Sequence, residues 1–166
     1  CKPAAESADF FGQAYPDSIP VIFGAGIVSM PGRLEHGISF APYTQEFAFG
    51  ILKEEDFSGE MYYSKKVNDQ WTKPEVFEPL KNENVYLPYF SPDGKSLLYA
   101  QSNSDKDNAN TAIWMLEKIA DEWGSPQLLQ APINSSSREA NACMTYDGTI
   151  YFSSNRNCAE MEGCHS

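Results

Sequence analysis

The chain has 166 residues, with 23 acidic against 12 basic side chains and a net charge of −11. An acidic surface of this kind repels phosphate backbones, so nucleic acid and anionic membrane surfaces are poor partners. No apolar run reaches the roughly 18 residues that a membrane-crossing helix needs.

In chain order, residues 1–18 are polar and read as a flexible tether. Pro20-Val21-Ile22-Phe23 then opens a Pro-x-apolar-apolar pattern that recurs at Pro74-Glu75-Val76-Phe77 and Pro126-Gln127-Leu128-Leu129. A second pattern joins two apolar runs through a turn. It occurs at Phe90–Tyr99 around Ser91-Pro92-Asp93-Gly94, at Met144–Phe152 around Asp147-Gly148, and in reduced form at Phe40–Phe49, where Tyr43-Thr44 replaces Asp-Gly. Proline presets φ and glycine accepts a positive φ, so Ser-Pro-Asp-Gly predicts a hairpin.

The strongest regularity is a gapless repeat. Met61–Phe77 aligns with Ile113–Leu129 at an offset of 52 residues, with Lys66/Lys118, Asp69/Asp121, Trp71/Trp123 and Pro74/Pro126 identical. Short strands repeating every 40–50 residues or so point to propeller blades. The expected fold is all-β: β-propeller blades of four antiparallel strands, about three blades of an incomplete ring. Blade one spans 36–77, blade two 85–129, and a third begins at 139–166. In blade two the expected strands are 85–90, 95–101, 112–119 and 127–129, the last two joined by a turn at Ala120-Asp121-Glu122. Strand 95–101 is apolar on both faces, which suits burial between neighbouring blades. Pro88 cannot donate to a ladder, which suits an edge strand such as the innermost of a blade. Pro20–Phe23 is expected to complete the last blade and close the ring. About three blades do not close a ring of 4–8, so the chain reads as the N-terminal part of a longer propeller, or as one chain of an assembly.

Phe90-Ser91-Pro92-Asp93-Gly94-Lys95 with Leu98-Tyr99, and Tyr146-Asp147-Gly148 through Asn155-Arg156, resemble the TolB-type β-propeller repeat, a relative of the WD repeats. The resemblance spans roughly Pro20 to Arg156. It implies a ring of six or seven blades and a bacterial envelope or secreted setting. The family includes translocation partners, peptidoglycan-associated proteins and the propeller domains of some peptidases and lyases. Arg156, following a blade's second strand in that pattern, is expected to make a structural ion pair. Cys1-Lys2-Pro3 resembles the start of a mature bacterial lipoprotein, with Cys1 lipidated; the alternative is that the sequence was simply cut there. Lys2 in place of aspartate favours an outer-membrane address, hence a periplasmic protein whose membrane contact is a lipid anchor.

Cys143 falls in a strand and reads as a small buried residue. Cys158 and Cys164 share one stretch and read as a disulfide or as free thiols. A metal site using Cys158, Cys164 and His165 with Glu160 or Glu162 lacks a C-x-x-C pair and a second half-site. Asp105–Asn110 has Ala109 and Asn110 where a calcium loop needs a ligand and a glycine, so it reads as a solvated loop. No nucleophile elbow or phosphate-cradling glycine loop is present, and no cofactor or metal is expected. Trp71 and Trp123, at matching positions, read as packing residues.

In a propeller the long connections and the starts of the inner strands emerge on one face. There the candidate ligand-binding residues are Glu35, His36, Tyr86, Arg138, Glu139 and Asn141, with His36 foremost because it titrates near neutrality. The expected function is a binding or scaffolding module for a protein, peptide or glycan, which predicts no cluster of pKa-perturbed groups at the channel mouth. The alternatives are part of an enzyme (peptidase, other hydrolase or lyase) with a ring rich in histidine and carboxylates completed outside this stretch, or a purely structural role.

Overall fold

The computed structural model describes residues 11–13, 18–43, 45–102 and 110–156. Its regular structure is antiparallel strand, with one 3-10 turn at Glu78–Leu80 among the described residues. Blade one comprises β1 (Leu34–Ala41), β2 (Glu46–Leu52), β3 (Gly59–Val67), β4 (Gln70–Trp71) and β5 (Glu75–Val76). Blade two repeats it as β6 (Val85–Phe90), β7 (Ser96–Ser102), β8 (Thr111–Ile119), β9 (Glu122–Trp123) and β10 (Gln127–Leu128). A third unit supplies β11 (Glu139–Met144) and β12 (Ile150–Ser154). Ladders run β1-β2-β3 and β6-β7-β8, with β4 and β5 both on β3 and β9 and β10 both on β8. The fourth strand of each blade is thus broken into two short pieces.

The invariant residues of the repeat explain that break. Asn68 and Asp69, like Ala120 and Asp121, adopt a positive φ and reverse the chain in two residues. The next residues pair straight back, Val67 with Gln70 and Ile119 with Glu122. Pro74 and Pro126 lie between the two pieces, where a missing N–H costs no ladder bond. Lys66 lies 5.7 Å over the Trp71 ring and Lys118 lies 4.9 Å over Trp123, so each lysine stacks on its own blade's tryptophan.

The hairpins repeat at the level of single hydrogen bonds. Gly94 N–H donates to the Ser91 carbonyl at 2.8 Å and Gly148 N–H to the Thr145 carbonyl at 3.0 Å. Asp93 Oδ1 accepts from Ser91 Oγ and Lys95 N; Asp147 Oδ1 accepts from Thr145 Oγ1 and Thr149 N. Gly94 and Gly148 stand at φ 69° and 84°, which a Cβ would resist.

Packing is between blade faces. On β7, Leu97 and Tyr99 pack with Ala41, Ala48 and Met61 of blade one. Leu98 between them packs with Ala142 and Phe152 of the third blade. This is the period-2 alternation of a strand buried on both sides. Trp123 joins the first interface, 5.8 Å from Phe77 and 5.9 Å from Phe90. Polar groups cross it too. Phe90 N donates to Ser39 Oγ at 3.0 Å, and Lys118 reaches from blade two to Glu46 of blade one, each side chain only 9% exposed. Glu46 also accepts a hydrogen bond from Tyr63. Burial, aided by that carboxylate, holds the Tyr63 phenol far above its usual pKa.

The opposite face of blade one is covered by the N-terminal segment, which departs from the expected tether. Phe11, Phe23 and Val28 pack on Phe47, Phe49, Ile51 and Trp71. Phe11 sits edge-on to Phe47 at 5.9 Å. The expected tether 1–18 is therefore interrupted at Phe11, an aromatic side chain that hides apolar surface instead of trailing in water. Pro20–Phe23 is not a strand: no described strand runs beside it, and Val21 and Ile22 are 54% and 69% exposed. Gln13 holds this stretch instead, donating to the Ile22 carbonyl at 2.8 Å and accepting from Gly24 N at 2.7 Å.

Candidate functional site

Each inner strand carries the same irregularity. The β1–β2 register shifts between His36 and Ser39, the β6–β7 register between Tyr86 and Tyr89, and the β11–β12 register between Ala140 and Cys143. The first residue of each bulge has a positive φ: Gly37 at 53°, Leu87 at 56° and Asn141 at 51°. A bulge of this kind bends the strand and re-aims the residue before it. The residues so presented are His36, Tyr86 and Ala140, one per blade. Pro88 falls inside the second bulge, where no ladder bond is asked of it.

His36 and Tyr86, with Arg138 at the entrance to β11, share one cleft of about 170 Å³ whose walls include Leu52, Leu87, Ala100, Thr111 and Ala140. Of the six candidate residues, these three are brought together. The His36 and Tyr86 rings are 6.0 Å apart. His36 Nε2 is buried without a hydrogen-bond partner among the described residues. Burial lowers the His36 pKa below its ordinary 6.5, so the ring is neutral at pH 7. Burial also raises the Tyr86 pKa, against which a hydrogen bond to Asn84 and the nearby Arg138 charge act. Tyr86 Oη donates to Asn84 Oδ1 and to the Phe57 carbonyl.

The expectation that a binding face carries no pKa-perturbed cluster does not hold, since both rings are shifted. The physical reason is burial of each ring. Among the described residues no carboxylate lines the cleft, so no acid–base pair is seen there.

The other three candidates point elsewhere. Glu35 Oε1 accepts from Arg33 Nε at 2.6 Å and Met30 N at 3.1 Å, which ties it to the N-terminal segment. Glu139 is fully buried and accepts from Ser135 N and Oγ, Ser154 Oγ and Arg156. Burial pushes its pKa up, but the serine hydrogen bonds and the Arg156 charge together outweigh that and hold the carboxyl below its ordinary value. Arg156 also donates to the Pro132 and Ile133 carbonyls, so the pair braces the third blade's entrance loop. Asn141 is exposed and donates to Ser153 Oγ at 3.1 Å.

Cys143 is a half-buried free thiol. Cys1, the pair Cys158 and Cys164, and residues 105–109 lie outside the described residues. Among the described residues no group of three or more His, Cys, Asp or Glu side chains could hold a metal ion.

Leu52, Ala100 and Thr111 escaped the sequence reading because they are ordinary strand residues. Register is the signal that finds Ala100, which pairs with Tyr86, and it also sets Gly50 opposite His36. Gly50 makes the His36 position possible, for a Cβ there would lie 2.3 Å from His36 Cε1 and Nε2. Gly50→Ala therefore swings the imidazole out of the cleft. Its NMR-titrated pKa should rise from below 6.5 toward 6.5 as burial is lost; an unchanged value would show that the ring does not rest on Gly50.

No family model matches the chain, and no curated protein matches it. Among solved structures it is similar to TolB from Acinetobacter baumannii, at 21% identity and a TM-score of 0.45, over 75% of this chain and 27% of that one. The alignment thus spans well under a third of that protein's length.

Proposed function

We propose that this chain is part of an envelope-associated propeller that binds a protein, peptide or glycan through its loop face, with the His36–Tyr86–Arg138 cleft as the contact point. The observation that carries the reading is that three successive blades each deliver a residue to one small, mostly apolar cleft with a few polar groups, the usual make-up of a recognition site. An enzymatic ring was expected to be rich in histidine and carboxylates. Among the described residues this lining holds one histidine and no carboxylate, which supports recognition over acid–base chemistry. The acidic surface disfavours polyanions. The periplasmic setting and the lipid anchor at Cys1 rest on the sequence resemblance.

The test is a peptide and glycan array probed with the wild-type chain and with Leu52→Trp, which fills the cleft from its wall. We expect a restricted set of wild-type ligands, each lost at least tenfold in the variant at an unchanged melting temperature. Ligands retained equally by Leu52→Trp would place recognition elsewhere, and an array with no wild-type ligand would remove the binding reading.

A further inference from the structure

Arg138 stands apart in a chain with 23 acidic and 12 basic residues. Its backbone is pinned: its N–H donates to Asn155 Oδ1 at 2.8 Å and its carbonyl accepts from Asn155 N at 3.2 Å. Its guanidinium, by contrast, makes no hydrogen bond or ion pair among the described residues, though it lines the cleft. The acids adjacent in sequence to the candidate residues are already engaged. Glu35 is held by Arg33, and Glu139 is held by Ser135, Ser154 and Arg156. Adjacent residues of an extended chain face opposite ways, so Glu139 is carried to the far side from Arg138. Among the described residues the cleft lining therefore presents a cation with five donors and no carboxylate; Asp56, whose charge reaches Tyr86, is not part of that lining.

We infer that the cleft binds a single aliphatic carboxylate group, with Arg138 gripping the two oxygens and the walls formed by Leu52, Leu87 and Ala140 enclosing a short apolar chain. This rests on reading the cleft as the binding site. The guanidinium fork matches a carboxylate in two parallel hydrogen bonds, which are stronger beside apolar walls than in open water. The volume of about 170 Å³ lies below the roughly 300–1,000 Å³ of pockets that take drug-sized ligands, which suits a chain of a few carbons. One cation also selects one charge. A phosphate dianion would bring a second negative charge that nothing in the lining meets, in a chain already at −11. His36, neutral at pH 7, lines the cleft without adding charge, its Nε2 turned against Gly50.

The probes are butyrate, its neutral isostere butyramide, and a dipeptide ending in valine as free acid and as amide. Each is titrated into isotopically labelled protein while the His36 and Arg138 side-chain signals are followed by NMR. We expect saturable shifts with butyrate, at least tenfold weaker binding of butyramide, and at least a tenfold loss for butyrate in Arg138→Gln. Because Arg138 is exposed and unpaired, that variant should melt as the wild type does. Dipeptide acid binding at least tenfold tighter than butyrate would identify the carboxylate as a chain terminus; equal or weaker binding would identify it as a small free acid. Either supports the inference.

Butyrate and butyramide binding alike, or Arg138→Gln holding butyrate as well as the wild type, would overturn the carboxylate assignment while leaving the cleft a binding site. Array ligands that survive Leu52→Trp would instead overturn the underlying reading, whatever butyrate does.

Discussion

Lys118→Met is expected to cost about 3 kcal/mol of stability, within the 3–5 kcal/mol typical of breaking a buried ion pair by removing one partner. Lys118 and Glu46 are each only 9% exposed and belong to different blades. Removing the ammonium leaves the Glu46 carboxylate buried with the Tyr63 hydroxyl as its remaining hydrogen-bond partner among the described residues. It also strips a cation from the Trp123 face. Pairing Lys118→Met with Glu46→Leu removes the stranded charge, so most of the loss should return. Urea unfolding of the two single variants and the double variant measures this. The loss should change little between low and high salt, because a buried pair is poorly screened. A cost below about 1 kcal/mol, or a double variant no more stable than Lys118→Met, would show that the pair does not hold the blades together.

The second large effect is expected at Phe47→Ala. Phe47 is fully buried on β2 and touches five other aromatic rings, from Trp71 at 5.2 Å to Phe23 at 6.3 Å. Truncating a buried phenylalanine costs about 3–5 kcal/mol through lost burial and the cavity left behind. A second readout separates this site from any other core residue. Phe47 is the surface on which Phe11 and Phe23 rest, so the segment they anchor should come loose. Val28 N and Ser29 N, which donate to the Gly24 carbonyl at 2.8 and 3.3 Å, should exchange with deuterium much faster than in the wild type. Unchanged protection there would mean that the segment is held by something other than this aromatic cluster.

The hairpins were legible because their chemistry is local. Asp93 and Asp147 build their turns from partners two residues away, and Gly94 and Gly148 take the positive φ. The strands flanking Ser91-Pro92-Asp93-Gly94 form where that turn chemistry places them. The repeated tryptophans were legible as packing residues, but their lysine partners were not. Lys66 and Lys118 look like solvated strand residues until the two-residue turn folds a tryptophan beneath each.

The N-terminal segment was misread for a different reason. Phe11, in a Phe-Phe pair, and Phe23, at the end of a short apolar run, show no period of two or 3.6 to mark them, and their partners on β2 lie more than twenty residues away. The cleft was half legible. Topology placed His36, Tyr86 and Arg138 on one face, but strand entrances also offered Glu35 and Glu139, whose carboxylates are claimed by Arg33 and Arg156. Pairings of that kind depend on side-chain direction, which no spacing rule states.

The left-handed kink in β1, β6 and β11 has a consequence for how such a molecule changes over time. The position before the kink holds an imidazole in one blade, a phenol in the next and a methyl group in the third, opposite Gly50, Ala100 and Ser153, and in each the ladder resumes three residues later. The rim can therefore be rewritten one blade at a time, provided the residue opposite leaves room for the new side chain, as Gly50 does for His36.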